Sequence, residues 1–238
     1  MRIFSFVFLL VFGLNVAAQS PTVKNLFAEG TRYANAGRFD DALRNFETAL
    51  FMAENEYLGD GYRARLHYNL GVCHFRMDRF QLAVDQLKSA LLLKPDYTRA
   101  HYARGMAELR KREWKAAAGS FDRVVKLDPK NGEAWFDLAF ASVALNDLET
   151  AEHAFARSIA YGSVDAPLSH NNIGVILAVR GDLVRAEKAF ETAVTLSGDR
   201  LMEAKRNLEF CREKRLGKPE LVAAAFQYAV RTFNIGVI

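Results

Sequence analysis

The side chains best suited to chemistry in this sequence are its histidines. His67, His101 and His170 are separated by 34 and 69 residues, whereas two ligands on one metal-binding helix usually lie about four residues apart. His67 and His74 would share one helix face, so a metal site there is the weaker alternative to ordinary packing. The sequence also lacks a phosphate-binding glycine loop, an HExxH motif, a paired CxxC motif and a nucleophile elbow. We therefore expect no catalytic residue, no metal site and no cofactor.

Composition places the chain among ordinary soluble globular proteins. It has 238 residues, of which half are hydrophobic and a quarter are charged. The formal net charge is only +4, and no block of Lys and Arg stands out. Nucleic acid is therefore not an expected partner.

The middle of the chain consists of two consecutive units of 34 residues, Ala64–Tyr97 and Thr98–Asn131. Such a period is typical of repeats built from a pair of helices. The second unit repeats the key residue types of the first at the same offsets: Gly71 and Gly105, Phe80 and Trp114, Ala83 and Ala117, Leu87 and Phe121, Leu93 and Leu127, Pro95 and Pro129.

Apolar residues in each unit recur at helical spacing in two stretches, which predicts two short antiparallel helices. Gly71 and Ala83 are small where these helices should cross, so that the backbones can approach closely. Pro95 ends the second helix. One such pair cannot bury its apolar faces alone and needs a neighbour stacked on it.

These residues resemble the tetratricopeptide repeat (TPR) family. The resemblance implies an all-α, right-handed solenoid over residues 23–215, with five helix-turn-helix repeats and a C-terminal capping helix. The repeats would be 23–56, 64–97, 98–131, 132–165 and 167–200, and the capping helix 201–215. Tyr57–Arg63 is inserted between the first two repeats, and its Gly59-Asp60-Gly61 predicts a longer loop.

The two cysteines, Cys73 and Cys211, are separated by several repeats. Because each repeat of a solenoid contacts only its neighbours, a disulfide between them is not expected. We predict that both are buried as small apolar side chains. A reactive thiol is the weaker alternative, since only His74 adjoins Cys73.

The two ends of the chain differ from the repeats. Residues 1–18 combine a basic start, an apolar run and small residues before Gln19, which predicts a secretory signal peptide cleaved after Ala18. A retained anchor is the weaker interpretation, because the apolar run is shorter than a membrane span. Residues 216–238 form an apolar tail that we expect to pack on the solenoid, shield its groove or pair two molecules.

In the TPR family, certain first-helix positions line a concave groove that binds peptides. Transferred to this sequence, they predict an aromatic and aliphatic surface with arginines beside it. An apolar stripe of this kind could also be ordinary core, but the core positions of the family are already occupied by other residues. The predicted groove residues are Phe27, Arg65, Tyr68, Asn69, Val72, Phe75, Arg76, Arg99, Tyr102, Met106, Leu109, Arg110, Phe136 and Phe140.

Some TPR proteins hold the acidic C-termini of cytosolic chaperones in a clamp of Lys, Asn, Asn, Lys and Arg. At the matching positions this chain has Phe27, Thr31, Asn69, Arg99 and Ala103. Only Asn69 and Arg99 fit, so the resemblance does not extend to that clamp.

The leading hypothesis is an exported, non-enzymatic adaptor or scaffold of the cell envelope, periplasmic or secreted, that binds a protein or peptide in the groove. The partner would carry acidic and aromatic residues, and no membrane span is expected after signal cleavage. A structural subunit that forms oligomers through its tail or convex face is the alternative. A metal-dependent or thiol enzyme is the third hypothesis.

Overall fold

The computed structural model describes residues 22–55, 59–198 and 200–215, and this part of the chain forms eleven α-helices and no β-strand. The predicted signal peptide, residues 1–18, and the predicted tail, residues 216–238, lie outside the described residues. In chain order the helices are α1 (Val23–Asn35), α2 (Phe39–Asn55), α3 (Asp60–Arg76), α4 (Phe80–Leu93), α5 (Thr98–Arg110), α6 (Trp114–Leu127), α7 (Gly132–Ala144), α8 (Leu148–Ala160), α9 (Ala166–Val179), α10 (Leu183–Ser197) and α11 (Met202–Arg215).

The helices pack in sequence order, each against the one before and the one after it. The pairs α1–α2, α3–α4, α5–α6, α7–α8 and α9–α10 are the five predicted repeats, and α11 follows as a single helix. The first helices of neighbouring repeats also contact one another directly: α1 contacts α3, and α3 contacts α5. The described second helices contact one another less. The first helices therefore line the inner side of the stack. The predicted all-α solenoid with a capping helix is confirmed.

A close approach between glycine and a large apolar side chain sets the distance within four of the five pairs, and the fourth pair has Ala139 at this position. A Cβ atom on Gly105 of α5 would lie 2.8 Å from the ring of Phe121 on α6, and Phe121 is fully buried. A Cβ atom on Gly71 would likewise lie 2.7 Å from Cγ of Leu87. The predicted helix crossing at Gly71 is thus confirmed. The first and fifth repeats have the same arrangement, with Gly30 against Phe46 and Gly174 against Phe190.

Each pair turns through one residue with left-handed backbone geometry. The residue has φ between 56° and 85° in all five turns, and it occupies the fifteenth position of every repeat. Glycine fills this position in the first and fifth repeats, as Gly37 and Gly181. The remaining three are Asp78, Arg112 and Asn146. The turn geometry therefore belongs to the repeat and is kept where a side chain makes it less favourable.

The prediction of a longer loop at Tyr57–Arg63 needs correction. Helix α3 begins at Asp60, so one extra helical turn precedes the predicted start at Ala64. Asp60 lies in the first turn, where a negative charge favours the helix, and it pairs with Arg63. The ring of Tyr62 packs on Phe27 of the first repeat, 5.5 Å between ring centroids. These contacts outweigh the turn preference of the glycines.

Helix α11 closes the apolar end of the fifth pair. Leu208 and Cys211 pack in one cluster with Leu177 and Phe190. Arg212 donates to Glu187 and Glu191 of α10, at 2.8 and 2.6 Å. The charged side chains of α11 thus sit over an apolar contact, as a capping helix requires.

Both cysteines are buried and unbridged, as the sequence predicted. Burial raises the pKa of the Cys73 thiol to about 11. The Cys211 thiol donates to the Leu183 carbonyl oxygen, 3.4 Å away. A thiol with so high a pKa is protonated at neutral pH, so Cys73 is a poor nucleophile.

Of the helices in the described ranges, none is both long and apolar enough to cross a bilayer.

Two glycines of the third repeat provide a matched test of the helix approach. Gly105→Ala should lower the free energy of unfolding by about 1–3 kcal/mol, because the new methyl group overlaps the fixed Phe121 ring. Gly119→Ala, on the exposed face of α6 with no atom within 4 Å, should raise it by up to about 1 kcal/mol. Urea denaturation followed by circular dichroism measures both. Equal effects of the two substitutions would contradict the close approach.

Candidate functional site: the groove of first helices

Four half-buried aromatic side chains line the inner side of the stack, one from the first helix of each of repeats one to four. We call Phe27, Tyr68, Tyr102 and Phe136 the aromatic ladder. Each occupies the fifth position of its repeat, so the successive helices α1, α3, α5 and α7 present them in register. The predicted ladder residues therefore occupy equivalent positions on four successive first helices.

The ladder rings are held by the core beneath them. Tyr102 meets Phe121 edge-on with 5.6 Å between centroids, and Phe136 meets Phe155 in the same way at 5.7 Å. Phe27 meets Phe46 at 5.8 Å. Tyr68 packs on the cluster of Leu87 and lies 5.1 Å from the ring of Tyr97. One edge of each ring is thus fixed by packing while the remainder stays accessible.

Two exposed arginines stand beside the first rungs of the ladder. Arg65 lies over the ring of Phe27, 4.8 Å from its centroid, in a cation–π contact. Arg99 has no ion pair with any described residue, and its charge acts on Tyr68 and Tyr97. Burial raises the pKa of both tyrosines, and the positive charge of Arg99 partly opposes that rise. Arg99 is therefore a free positive charge next to an aromatic pair.

The other two predicted arginines are engaged in contacts between repeats. Arg110 of α5 lies 4.4 Å from the ring centroid of Phe80 on α4 and donates to Asp78 at 2.9 Å. Arg76 of α3 lies 5.5 Å from the ring of Phe39 on α2. Each arginine thus stacks on the first residue of the preceding second helix. Both arginines thus hold adjacent repeats together, which the sequence did not predict, and their binding to a ligand stays a prediction.

The prediction that Met106 and Leu109 line the groove needs correction. They are 7% and 4% exposed and belong to the core cluster that runs from α5 to α9. Their first-helix positions face neighbouring helices, so they support the surface from below. The remaining predicted residues, Asn69, Val72, Phe75 and Phe140, are half-buried on their first helices.

Sequence reasoning missed a group of three carboxylates beside the ladder. The Tyr102 hydroxyl donates to Asp137 Oδ2 at 2.7 Å, which joins α5 to α7. Glu133 and Asp165 lie near enough for their charges to act on Asp137. Burial, followed by these two like charges, raises the pKa of Asp137 to about 7, although the Tyr102 hydrogen bond opposes the rise. The available signal was Glu133, an acidic residue at the repeat position where Arg65 and Arg99 occur.

The histidines have individual packing or hydrogen-bonding roles. His67 Nδ1 lies 2.8 Å from the Gln86 side-chain oxygen, and His101 Nε2 lies 2.9 Å from the Pro95 carbonyl oxygen. His74 and His101 are buried, and burial lowers the pKa of both. Across the described ranges no group of three or more His, Cys, Asp or Glu residues is arranged to hold a metal ion. The chemistry that this surface offers is recognition by apolar, aromatic and charged groups.

Comparison with known proteins identifies the repeat. Family models described as tetratricopeptide repeat match residues 30–95, 75–132 and 108–168. Human RNA polymerase II-associated protein 3 is 28% identical over 139 residues, which are 58% of this chain and 20% of that protein. The chain spans less than a third of the length of the curated relatives that it matches.

Two solved structures show the same fold. YrrB, described as a TPR protein with an unusual peptide-binding site, superimposes with a TM-score of 0.68 at 18% identity, covering 80% of this chain and 95% of YrrB. MamA from Desulfovibrio magneticus RS-1 gives a TM-score of 0.64 at 21% identity, covering 75% of this chain and 97% of MamA. At these identities the likeness concerns architecture.

Asp137 should make the stability of the protein depend on pH. Its pKa is about 7 in the folded chain against 3.8 for an unperturbed carboxyl, so the folded state holds the proton more strongly. The stability that this stronger proton binding adds is complete below the unfolded-state pKa. It is lost as the pH rises from that value to the folded-state pKa, at up to about 1.4 kcal/mol per pH unit. Asp137→Asn should therefore be more stable than the wild type at about pH 8, and this advantage should shrink towards about pH 5.

Urea denaturation of the two proteins at both pH values measures the difference. Asp122→Asn removes an exposed carboxylate, paired with Lys126, and controls for net charge. An Asp137→Asn advantage that did not change with pH would contradict the raised pKa.

Proposed function

The chain belongs to the tetratricopeptide repeat family, and we propose that it is a non-enzymatic adaptor that holds a peptide or protein segment in the groove of its first helices. The aromatic ladder is the observation that carries this proposal. Its rings are fixed on one edge by the core and half-exposed on the other, so little ordering is needed when a partner binds. Surfaces of this type supply the anchoring contacts of protein interfaces.

Charge along the groove favours one class of partner. Lys24, Arg65 and Arg99 are exposed on α1, α3 and α5, whereas Glu133 and Asp137 lie on α7. We expect a partner that combines apolar or aromatic anchors with acidic residues, and the acidic residues should lie towards α3 and α5. Opposite charges of this kind orient a partner and speed its association. YrrB, which has the same fold, is described as having a peptide-binding site, and this is consistent with the proposal.

A cell-envelope location forms a second part of the proposal and rests on residues 1–18. If the segment directs export, the mature protein begins at Gln19 and has 220 residues, 18 fewer than the full sequence. Expression in a bacterium, followed by N-terminal sequencing of the periplasmic fraction, tests this. Replacing Leu9 and Leu10 by arginine should keep the full-length chain inside the cell, because the apolar run is interrupted. An uncut chain in both cases would refute export with cleavage.

Substitutions at two groove residues test the binding surface. Peptides selected by display on the wild-type chain should bind Tyr102→Ala at least about thirtyfold more weakly, since a lost aromatic anchor costs about 2 kcal/mol or more. Arg99→Ala should weaken acidic peptides selectively. Isothermal titration calorimetry on the purified variants, with unfolding checked by circular dichroism, measures both effects.

Arg123→Ala, an exposed arginine on the second helix α6, is the matched control and should leave affinity unchanged. If Tyr102→Ala and Arg99→Ala bound the selected peptides as the wild type does, the groove would not be the binding surface. The convex side would then be the next candidate.

Self-association is the alternative function, and exposed apolar side chains on second helices favour it. Leu92 of α4 is 84% exposed and Val184 of α10 is 68% exposed. A structural subunit would pair through such residues or through residues 216–238. Light scattering with size-exclusion chromatography of the purified chain would separate the alternatives, because only the structural subunit needs to form oligomers without a partner.

A further inference from the structure

We propose that Asp137 makes the groove bind an acidic partner more tightly in mildly acidic than in mildly alkaline medium. This inference rests on the proposed function, since it concerns how the same groove is regulated. Its basis is the position of one half-buried carboxyl on α7, hydrogen-bonded to a ladder residue of α5 and close to two other carboxylates.

The Asp137 carboxyl is tied directly to the groove. It accepts a 2.7 Å hydrogen bond from the hydroxyl of Tyr102, a ladder residue of α5. Its neighbour in sequence, Phe136, is the next ladder residue. A change of charge on Asp137 therefore occurs at the hydroxyl of one ladder ring, on the helix that carries the next one.

The titratable and charged groups that act on Asp137 come from two helices and from the turn before α9. They are Tyr102 on α5, Glu133 on α7 itself and Asp165, the residue before α9. No described residue of α6 or α8, which also pack against α7, is among the groups that shift the pKa of Asp137. Glu133 is held in place because its carboxylate accepts a 3.1 Å hydrogen bond from the Val164 backbone N–H. No positive charge in this set compensates an ionised Asp137.

Ionisation is consequently disfavoured, and burial with the two like charges raises the pKa of Asp137 to about 7. Between about pH 6 and about pH 8 the carboxyl passes from mostly neutral to mostly negative. The ionised form adds its negative charge to those of Glu133 and Asp165, and this charge repels an acidic segment that lies over Tyr102. The neutral form removes one negative charge while the guanidinium of Arg99 stays positive. Affinity for an acidic segment should therefore fall as the pH rises.

The first experiment follows Asp137 in the free protein. Carbon-13 NMR of the labelled carboxyl groups, assigned with Asp137→Asn, should give a midpoint near neutrality. Glu133→Gln should lower that midpoint because it removes a like charge. A midpoint below about pH 5 would overturn the proposal, since the charge would then be constant over the working range.

The second experiment measures binding with a defined probe. A rhodamine-labelled peptide of about twelve residues, alternating glutamate with phenylalanine or leucine, would be titrated by fluorescence anisotropy at about pH 6 and about pH 8. Affinity for the wild type should fall by about threefold to tenfold, the effect of one partly screened charge at close range. Asp137→Asn should show no such change, because its amide does not ionise and can still accept the Tyr102 hydrogen bond.

Controls distinguish this proposal from the groove assignment itself. The same peptide with glutamine in place of glutamate should bind independently of pH, and Asp122→Asn should behave as the wild type. A pH dependence that persists in Asp137→Asn would overturn the role of Asp137 and leave the groove intact. Binding that is unaffected by Arg99→Ala and Tyr102→Ala would instead overturn the groove, and with it the regulation proposed here.

Discussion

In four of the five repeats, a large apolar side chain pressed against a glycine at the helix crossing determines the geometry on which the rest of the molecule depends. In the third repeat Gly105 admits the ring of Phe121, and Tyr102, three residues earlier on the same helix, rests edge-on against that ring. The first repeat has the same triplet in Phe27, Gly30 and Phe46. One contact therefore sets both the spacing of the helices and the position of the groove aromatic. In the fifth repeat the ring and the glycine remain, but Asn171 replaces the aromatic, and the ladder ends there.

The arrangement of helices was predictable because it depends on local, repeated signals. Small residues at the crossing, the 34-residue period and the proline after the second helix determine a pair almost independently of its neighbours. The aromatic ladder was predictable for the same reason. The extra turn of α3 was not, because it depends on Tyr62 finding Phe27 in a different repeat. Glycines at 59 and 61 gave a local signal for a loop that this contact overrides.

The features of the groove that the sequence did not predict have a common cause, because they depend on contacts between repeats. Arg110 stacks on Phe80 and Arg76 on Phe39, and the sequence does not show which repeat supplies the partner ring. The burial of Met106 depends on how closely α7 follows α5. The pKa of Asp137 is raised chiefly by burial and further by Glu133 and Asp165, and Asp165 belongs to the turn before α9. Family positions identify which helix face a residue occupies, but exposure and charge on that face depend on the stacking of whole repeats.

The order of contacts along the stack also has a consequence for synthesis. Each helix packs chiefly on the helices next to it in sequence, so a pair can fold as it leaves the ribosome without waiting for distant residues. The fifth pair differs. Asn207 Nδ2 donates a 2.9 Å hydrogen bond to Asn171 Oδ1, and Cys211 completes the cluster around Phe190. The growing chain therefore has a fifth pair with an uncovered apolar end until about forty further residues beyond Asn171 have been added. During that interval the apolar end of the fifth pair is open to association with other chains.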